Sequence, residues 1–209
     1  MMRATRNTRP SAALAALCLF VLGACNILPG AEEPPALYTL SPKNTFDEDL
    51  PSVQKQLLVE VPVAAEGLNS HRIALSRGAL SIDYFAKARW TERAPLLVQT
   101  LLVESFENTD KIVSVAREGT DLRADYALKT ELREFQAEYV DATSPPTVNV
   151  RIMTKLIKMP ERVIVAADSF EAIVPAGGTA MPDIVGAFDE ALGKVLKRAV
   201  LWTMPKVAR

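Results

Sequence analysis

The sequence predicts an α+β fold, a single domain with two main helices packed on one face of a mostly antiparallel sheet. Three observations predict it. Residues 92–107 and 182–202 are rich in apolar positions at helical spacing. From Asp125 onward apolar residues alternate in long runs, as they do in strands with one covered face. One helix stands amid the strands and the other follows them, so the order lacks the regular strand–helix alternation of a parallel sheet.

Taken in order, Tyr38-Thr39-Leu40-Ser41-Pro42 puts two large apolar groups on one side of an extended pentapeptide, and the polar run to Gln56, with Asp47-Glu48-Asp49, reads as a solvated loop. Leu57, Val59, Val61 and Val63 share a parity that predicts a strand, with Pro62 marking an edge or an end. Short extended pieces follow at 73–75 and 80–85, on either side of the turn-compatible Ser76-Arg77-Gly78. The first helix is expected over 92–107, with Pro95 in its first turn and Asn108 near its end. Leu96, Leu97, Val98, Leu101, Leu102, Val103 and Phe106 cover most of its circumference, so it is buried on more than one side.

Tyr126, Leu128, Thr130 and Leu132 then share one parity while Phe135, Ala137 and Tyr139 take the other, which places an extra residue, a β-bulge, near Arg133-Glu134. Val148, Val150, Ile152 and Leu156 line one face of a strand over 147–158. Ile164, Ala166, Phe170 and Ala172 do so over 162–173, with Met159-Pro160-Glu161 as the hairpin turn between them. After a loop over 175–182, Val185, Phe188, Leu192, Val195, Leu196 and Ala199 form the apolar stripe of the last helix, and Glu190 and Lys194 are spaced for a surface pair.

The N-terminus carries a different signal. Arg3, Arg6 and Arg9 precede an apolar stretch from Ser11 to Leu22, too short to span a bilayer, and the run Leu22-Gly23-Ala24-Cys25 ends it. Residues 1–24 therefore read as a lipoprotein signal peptide cleaved between Ala24 and Cys25, with Cys25 the lipid-bearing first residue of the mature chain. An ordinary signal peptide or a short membrane anchor gives no reason for a thiol directly after the small pair. Asn26 follows, where an aspartate would favour retention in the inner membrane of Gram-negative bacteria, so the expected location is the outer membrane, lipid-anchored and facing the periplasm. Residues 25–36, with Pro29-Gly30, Glu32-Glu33 and Pro34-Pro35, read as a tether, and 37–209 as the folded domain.

Cleavage removes 24 of the 209 residues and leaves 185, enough for one domain with a sizeable core. Arg3, Arg6 and Arg9 leave with the signal and none of the 25 acidic residues does, which moves the net charge from −1 to −4. That balance gives no general reason to bind nucleic acid or to lie flat on anionic lipid, and leaves the acyl chains as the membrane attachment. Cys18 also leaves with the signal, so no disulfide is expected.

Enzymatic parts are scarce. His71 is the only histidine, no serine sits in a Gly-x-Ser-x-Gly elbow and Gly177-Gly178 lacks the lysine and spacing of a phosphate loop. Ligands for a zinc site of the usual type are missing, and no cofactor is expected beyond the covalent lipid on Cys25. Glu131 and Glu134, three apart on a strand, are expected on opposite faces as solvated charges. Four other residues are candidate fold anchors or partner contacts: Tyr38, Leu40, Trp90 and Trp202. Trp90 is read chiefly as a core anchor, and Trp202 either caps the core or marks a partner surface.

Five segments together resemble one family: Tyr38-x-Leu40-x-Pro42; Ser70-His71-Arg72-Ile73-Ala74-Leu75; Ile82-Asp83-Tyr84-Phe85-Ala86-Lys87-Ala88-Arg89-Trp90; Ala124-Asp125-Tyr126-x-Leu128 with Leu132-Arg133-x-Phe135-Gln136-Ala137-Glu138; and Ala187-Phe188-Asp189-x-Ala191-Leu192. Their order and spacing resemble the ABC-type transport auxiliary lipoproteins, which include the paraquat-inducible lipoprotein component. The resemblance implies a non-enzymatic, periplasm-facing domain that works with an ABC permease, its ATPase and a mammalian-cell-entry (MCE) protein in moving lipids between two membranes. It leaves a homo-oligomer open. Two alternatives from other classes are a lipid-binding shuttle domain and a hydrolase, the second disfavoured by the single histidine.

Overall fold

Three long strands set the architecture: β7 (Tyr126–Glu138), β8 (Thr147–Lys158) and β9 (Val163–Pro175) run antiparallel, residue by residue, for nearly their whole lengths. The computed structural model describes residues 33–46, 48–78, 80–118, 123–141 and 143–209. The predicted signal peptide, its cleavage site at Ala24 and Cys25, and the tether as far as Glu32 lie outside these residues. Pro35–Arg209 forms one compact unit.

The shorter strands are β1 (Ala36–Tyr38), β2 (Val53–Val59), β3 (Val63–Ala64), β4 (Arg72–Ser76), β5 (Asp83–Trp90) and β6 (Ile112–Arg117). On the edge opposite β8, β7 takes three parallel partners in succession: β2 at Tyr126–Leu128, β3 at Glu131–Leu132 and β4 at Gln136–Glu138. β6 joins β2 in parallel, β5 joins β4 antiparallel and β1 closes on β5 in parallel. The sheet is mostly antiparallel through its long strands, as expected, with parallel joins among the short ones. Strand β1 begins at Ala36, one residue inside the predicted tether.

The predicted bulge is present. Leu132 pairs with Ile152 and Glu134 with Arg151, which leaves Arg133 as the extra residue and returns Phe135 and Ala137 to the covered face. Two boundaries differ from the expected ones. The expected strand over 57–63 is β2, begun four residues earlier and ended at Val59. Val61 and Val63 are exposed rather than aligned with Leu57, because Pro62 has no N–H to continue the ladder. Strand β6, with the run Ile112-Val113-x-Val115, has the β-branched composition of a strand but no clean alternation, and nothing in the sequence reading anticipated it.

Helix α1 (Ala94–Glu107) lies over β2 and β6, helix α2 (Met181–Val207) over β8 and β9, and the two helices touch each other. Both feed one core with the inner positions of β7 and β8. Helix α1 is buried on most sides, and even Gln99 is inside, where its Nε2 donates to the Val59 carbonyl at 2.9 Å. Helix α2 runs five residues past Trp202. Pro205 sits in the last turn, where it forfeits one backbone hydrogen bond, while Met204 and Val207 continue the buried stripe.

Candidate functional site

The sheet has two unlike faces. On β8, Val148, Val150, Ile152 and Leu156 have no exposure at all beneath the helices, while Asn149, Arg151 and Met153 are half-buried and Lys155 is exposed on the other side. The bulge at Arg133 hands Glu134, Gln136 and Glu138 to that helix-free face, beside Asn149 and Arg151 of β8 and Glu171 of β9. With Ser76, Gly78, Tyr139 and Val140 they line a groove of about 490 Å³, a side-chain constellation drawn from four separate stretches of sequence.

A connected set of hydrogen bonds organises its floor. Gln136, 8 % exposed, donates through Nε2 to Glu134 Oε2 at 2.6 Å and to Glu138 Oε1 at 3.1 Å, while its Oε1 accepts the Phe135 N–H at 3.0 Å. Asn149 Nδ2 donates to Glu138 Oε1 at 3.3 Å. Arg151 Nη2 donates to Glu134 Oε1 at 2.5 Å, and its Nε lies 4.0 Å from Glu171 Oε1. Three carboxylates against one guanidinium leave the groove acidic, and the bridging amide of Gln136 lets two of them stand close. Burial raises the Tyr139 hydroxyl pKa at the rim, an effect the Arg77 guanidinium, 6.0 Å from its ring centroid, partly offsets.

This arrangement corrects the expectation for Glu131 and Glu134. Their partners Met153 and Arg151 are two apart on β8, so the two glutamates share the open face, because the extra residue between them cancels the odd spacing. Among the described residues, no group of three or more His, Cys, Asp or Glu side chains is placed to hold a metal ion.

The predicted anchors go elsewhere. Trp90, 1 % exposed, packs between Phe135 at 5.6 Å and Phe188 at 5.2 Å in the core, with its indole N–H unpartnered. Tyr38 pairs with Trp90 across β1 and β5, and the Tyr38 carbonyl accepts the Thr91 N–H at 2.9 Å. Leu40 is buried in the same core. Trp202 stands apart, half-buried on α2, edge-on to Phe170 at 5.8 Å and beneath the Lys206 ammonium at 4.4 Å. The structure thus brings Leu40 and Trp90 into the core and leaves Tyr38 and Trp202, both half-buried, at its margin. The groove residues escaped the sequence reading, although Gln136, a polar residue between Phe135 and Ala137, was their one visible sign. His71 is exposed, its backbone carbonyl accepting the Trp90 N–H at 2.7 Å.

Comparison with known proteins decides the family, since residues 38–200 match the ABC-type transport auxiliary lipoprotein component. The chain belongs to that family. A crystal structure of a Xanthomonas campestris protein is similar at 29 % identity with a TM-score of 0.76, covering 81 % of this chain and 95 % of that one. A second crystal structure, at 14 % identity and a TM-score of 0.57 over 85 % of this chain and 98 % of that one, shares the fold. A Bradyrhizobium diazoefficiens protein is 25 % identical over 177 residues, 84 % of this chain and 46 % of that one. The chain thus spans about half the length of the curated relative it matches. No helix of the described residues is long and apolar enough to cross a membrane.

Proposed function

We propose that this auxiliary lipoprotein is a non-catalytic docking component. Acyl chains on Cys25 hold it to the outer membrane, and the domain engages an MCE-domain protein that works with an ABC permease and ATPase in moving lipids between the membranes. The observation that carries docking over shuttling is the fate of the apolar side chains. A lipid carrier needs apolar surface around its cargo, yet apart from Leu96, which is exposed against the sequence expectation, the large apolar side chains of α1 and α2 are taken up by packing, with Trp90, Phe106, Phe135 and Phe188 each less than 2 % exposed between helices and sheet. The groove on the free face is polar and charged, a poor lining for acyl chains. The tether adds reach: its residues extend at most about 3.3 to 3.6 Å each, which keeps the domain within a few tens of ångströms of the lipid surface.

Three measurements on the full-length protein test the reading. The detergent-solubilised lipoprotein is expected to co-purify with the MCE-domain protein of its own transport system and to yield no stoichiometric lipid on extraction and mass spectrometry. Stoichiometric lipid would favour the shuttle. Cys25→Ser is expected to release the folded protein from membranes in cells lacking the partners. Asn26→Asp is expected to move it to the inner membrane and abolish transport, and continued transport by the relocated protein would remove outer-membrane docking as its role.

A further inference from the structure

Two arginines face each other at the corner of the sheet where the chain enters the domain. Arg72 of β4 pairs with Arg89 of β5, and Arg89 pairs in turn with Leu37 of β1. Tyr38 pairs with the buried Trp90, and neighbours along a strand point to opposite faces, so Leu37, Arg89 and Arg72 share the face turned away from the core. Both arginines are exposed, Leu37 is 66 % exposed, and Lys87, two residues before Arg89, adds a third exposed cation.

Like charges directly opposite each other weaken a sheet, so such a pair calls for an acid beside it. A second pair of this kind has one: Lys129 and Lys155 stand opposite each other, and Lys129 pairs with Glu60 at 3.6 Å. The row through Arg151 alternates in sign, with Glu134 on one side and Glu171 on the other. Arg72, Lys87 and Arg89 make no ion pair among the described residues, although Glu33, Glu66, Asp83 and Glu92 are exposed in the same segments. Arg72 is nonetheless held in place. Its guanidinium lies 3.6 Å from the centroid of the Tyr84 ring, and the Tyr84 hydroxyl donates to the Gly67 carbonyl at 3.0 Å. A guanidinium held by its flat side keeps its N–H donors free around its edge, and among the described residues no side-chain N–H of Arg72 or Arg89 has an acceptor. Two such groups with no acid between them fit an anion of several oxygens, such as a phosphate.

The path of the chain names the source of that phosphate. Strand β1 begins at Ala36, and residues 26–35, ten in all, separate it from Cys25. Arg89 stands on the strand next to β1 and Arg72 on the one after it. In a lipoprotein the surface at the other end of that short segment is a membrane. We propose that Arg72 and Arg89, with Lys87 and Leu37, form the face that rests the domain against the membrane carrying its anchor, the arginines on the phosphates of lipid headgroups and Leu37 among those headgroups. A domain so held has a fixed orientation over the membrane. The inference rests on the lipid anchor at Cys25 put forward above, and is independent of the transport partner and of which membrane carries the anchor. The net charge of the mature chain gives no reason for such a contact; the reason is local.

The test uses the full-length acylated lipoprotein in vesicles of phosphatidylethanolamine and phosphatidylglycerol, with Cys25 blocked by its lipid. A bimane label is placed on Leu37→Cys or, as a control, on Glu161→Cys in the turn between β8 and β9, and lipids with a nitroxide at the headgroup quench a label that touches the surface. Quenching of the label at position 37 is expected to exceed the control severalfold and to fall to the control level at high salt. Arg89→Glu is expected to abolish the excess while leaving the melting temperature unchanged or higher, because it sets opposite charges across the β4–β5 pair. Proximity through the tether alone would survive both high salt and Arg89→Glu, and that outcome overturns the proposal. So does an Arg89→Glu protein that melts several degrees lower, since the arginine would then serve the fold. Flotation with the vesicles reports the anchor separately. A protein that floats without excess quenching overturns only the contact, whereas one purified with no lipid on Cys25 overturns the anchor and the contact together.

Discussion

Strand β8 has two sides that live under different rules. Toward the helices, Val148, Val150, Ile152 and Leu156 are sealed in the hydrophobic core, with Thr154 the one polar side chain among them on that face of β8, so shape and volume decide most of what is tolerated there. Away from the helices, Asn149 and Arg151 stand in a groove where Asn149 Nδ2 donates to Glu138 and Arg151 Nη2 to Glu134, while Asn149 Oδ1 and Arg151 Nε have no hydrogen-bond partner. One side holds the fold together, and the other is free to be specific. The helix-free face is also not uniform along its length: its groove end sets three carboxylates against Arg151, whereas toward the hairpin Lys129 and Lys155 stand opposite each other and Lys129 pairs with Glu60.

The strongest test of this division is the residue that maintains it. Deleting Arg133 removes the bulge and, from Glu134 onward, exchanges the two faces of β7. Glu134 and Gln136 would turn into the core and Phe135 and Ala137 out of it. A loss of more than about 4 kcal/mol, or failure to fold, is expected from denaturant unfolding. Arg133→Ala, which keeps the count and trims an exposed side chain, is expected to change stability by no more than about 0.5 kcal/mol. Similar outcomes for the two variants would mean that the register does not depend on the extra residue.

Next in size is Phe188→Ala, on the sealed side. Phe188 has no exposure and meets Trp90 and Phe135 at ring distances of 5.2 Å, so its removal is expected to cost about 3–5 kcal/mol in chemical denaturation. Its neighbour Asp189 gives a built-in contrast. Periodicity alone places it as a plain surface acid, but its Oδ1 accepts the Ser41 N–H at 2.6 Å and pins the segment after β1. Asp189→Ala is expected to cost about 0.5–1 kcal/mol, as a charge-assisted bond open to solvent should.

On the groove side, Gln136→Ala withdraws the amide that bridges Glu134 and Glu138. The expected loss is about 1–2 kcal/mol, with Gln136→Glu at least as damaging because it adds a third carboxylate to the same floor. A Gln136→Glu protein as stable as the original would show that the groove is wetter and more strongly screened than its geometry implies.

The smallest effect concerns protons. The Asp141 carboxylate, at the loop beyond the groove, accepts the backbone N–H groups of Thr143 and Ser144 and the hydroxyls of both, each at 2.8 Å. These bonds favour its ionised form and hold its pKa far below the ordinary aspartate value of 3.8. A depressed folded-state pKa contributes stability that is present above the unfolded value and lost as pH falls toward the folded one. Asp141 is thus expected to remain charged at about pH 3, where an ordinary aspartate is mostly protonated. Carboxyl NMR titration checks this, and a midpoint near the ordinary value would show that the turn does not persist in solution.

Much of this molecule is local pattern. The strand over 147–158, the hairpin turn after it, the stripe of α2 and the bulge at Arg133 are all legible in the sequence, because each is a periodicity or a break in one. Strand β6 was not, since six residues with mixed burial leave too little alternation to read. The last turn of α2 was hidden by Pro205, whose local penalty is outweighed by burying Met204 and Val207. Ile164 was misplaced because the bulge at Val165 leaves no mark in composition.

By itself, then, the sequence determined which face β7 and β8 present to the helices, because that depends on the side chains of near neighbours. The order of strands was decided only in tertiary structure. Nothing local tells β2, β3 and β4 to stack end to end along one edge of β7, or brings Ser76, Glu134, Asn149 and Glu171 to one groove. Those choices are made between residues far apart in the chain, where the gain comes from joint burial and shared hydrogen bonds that no single segment carries.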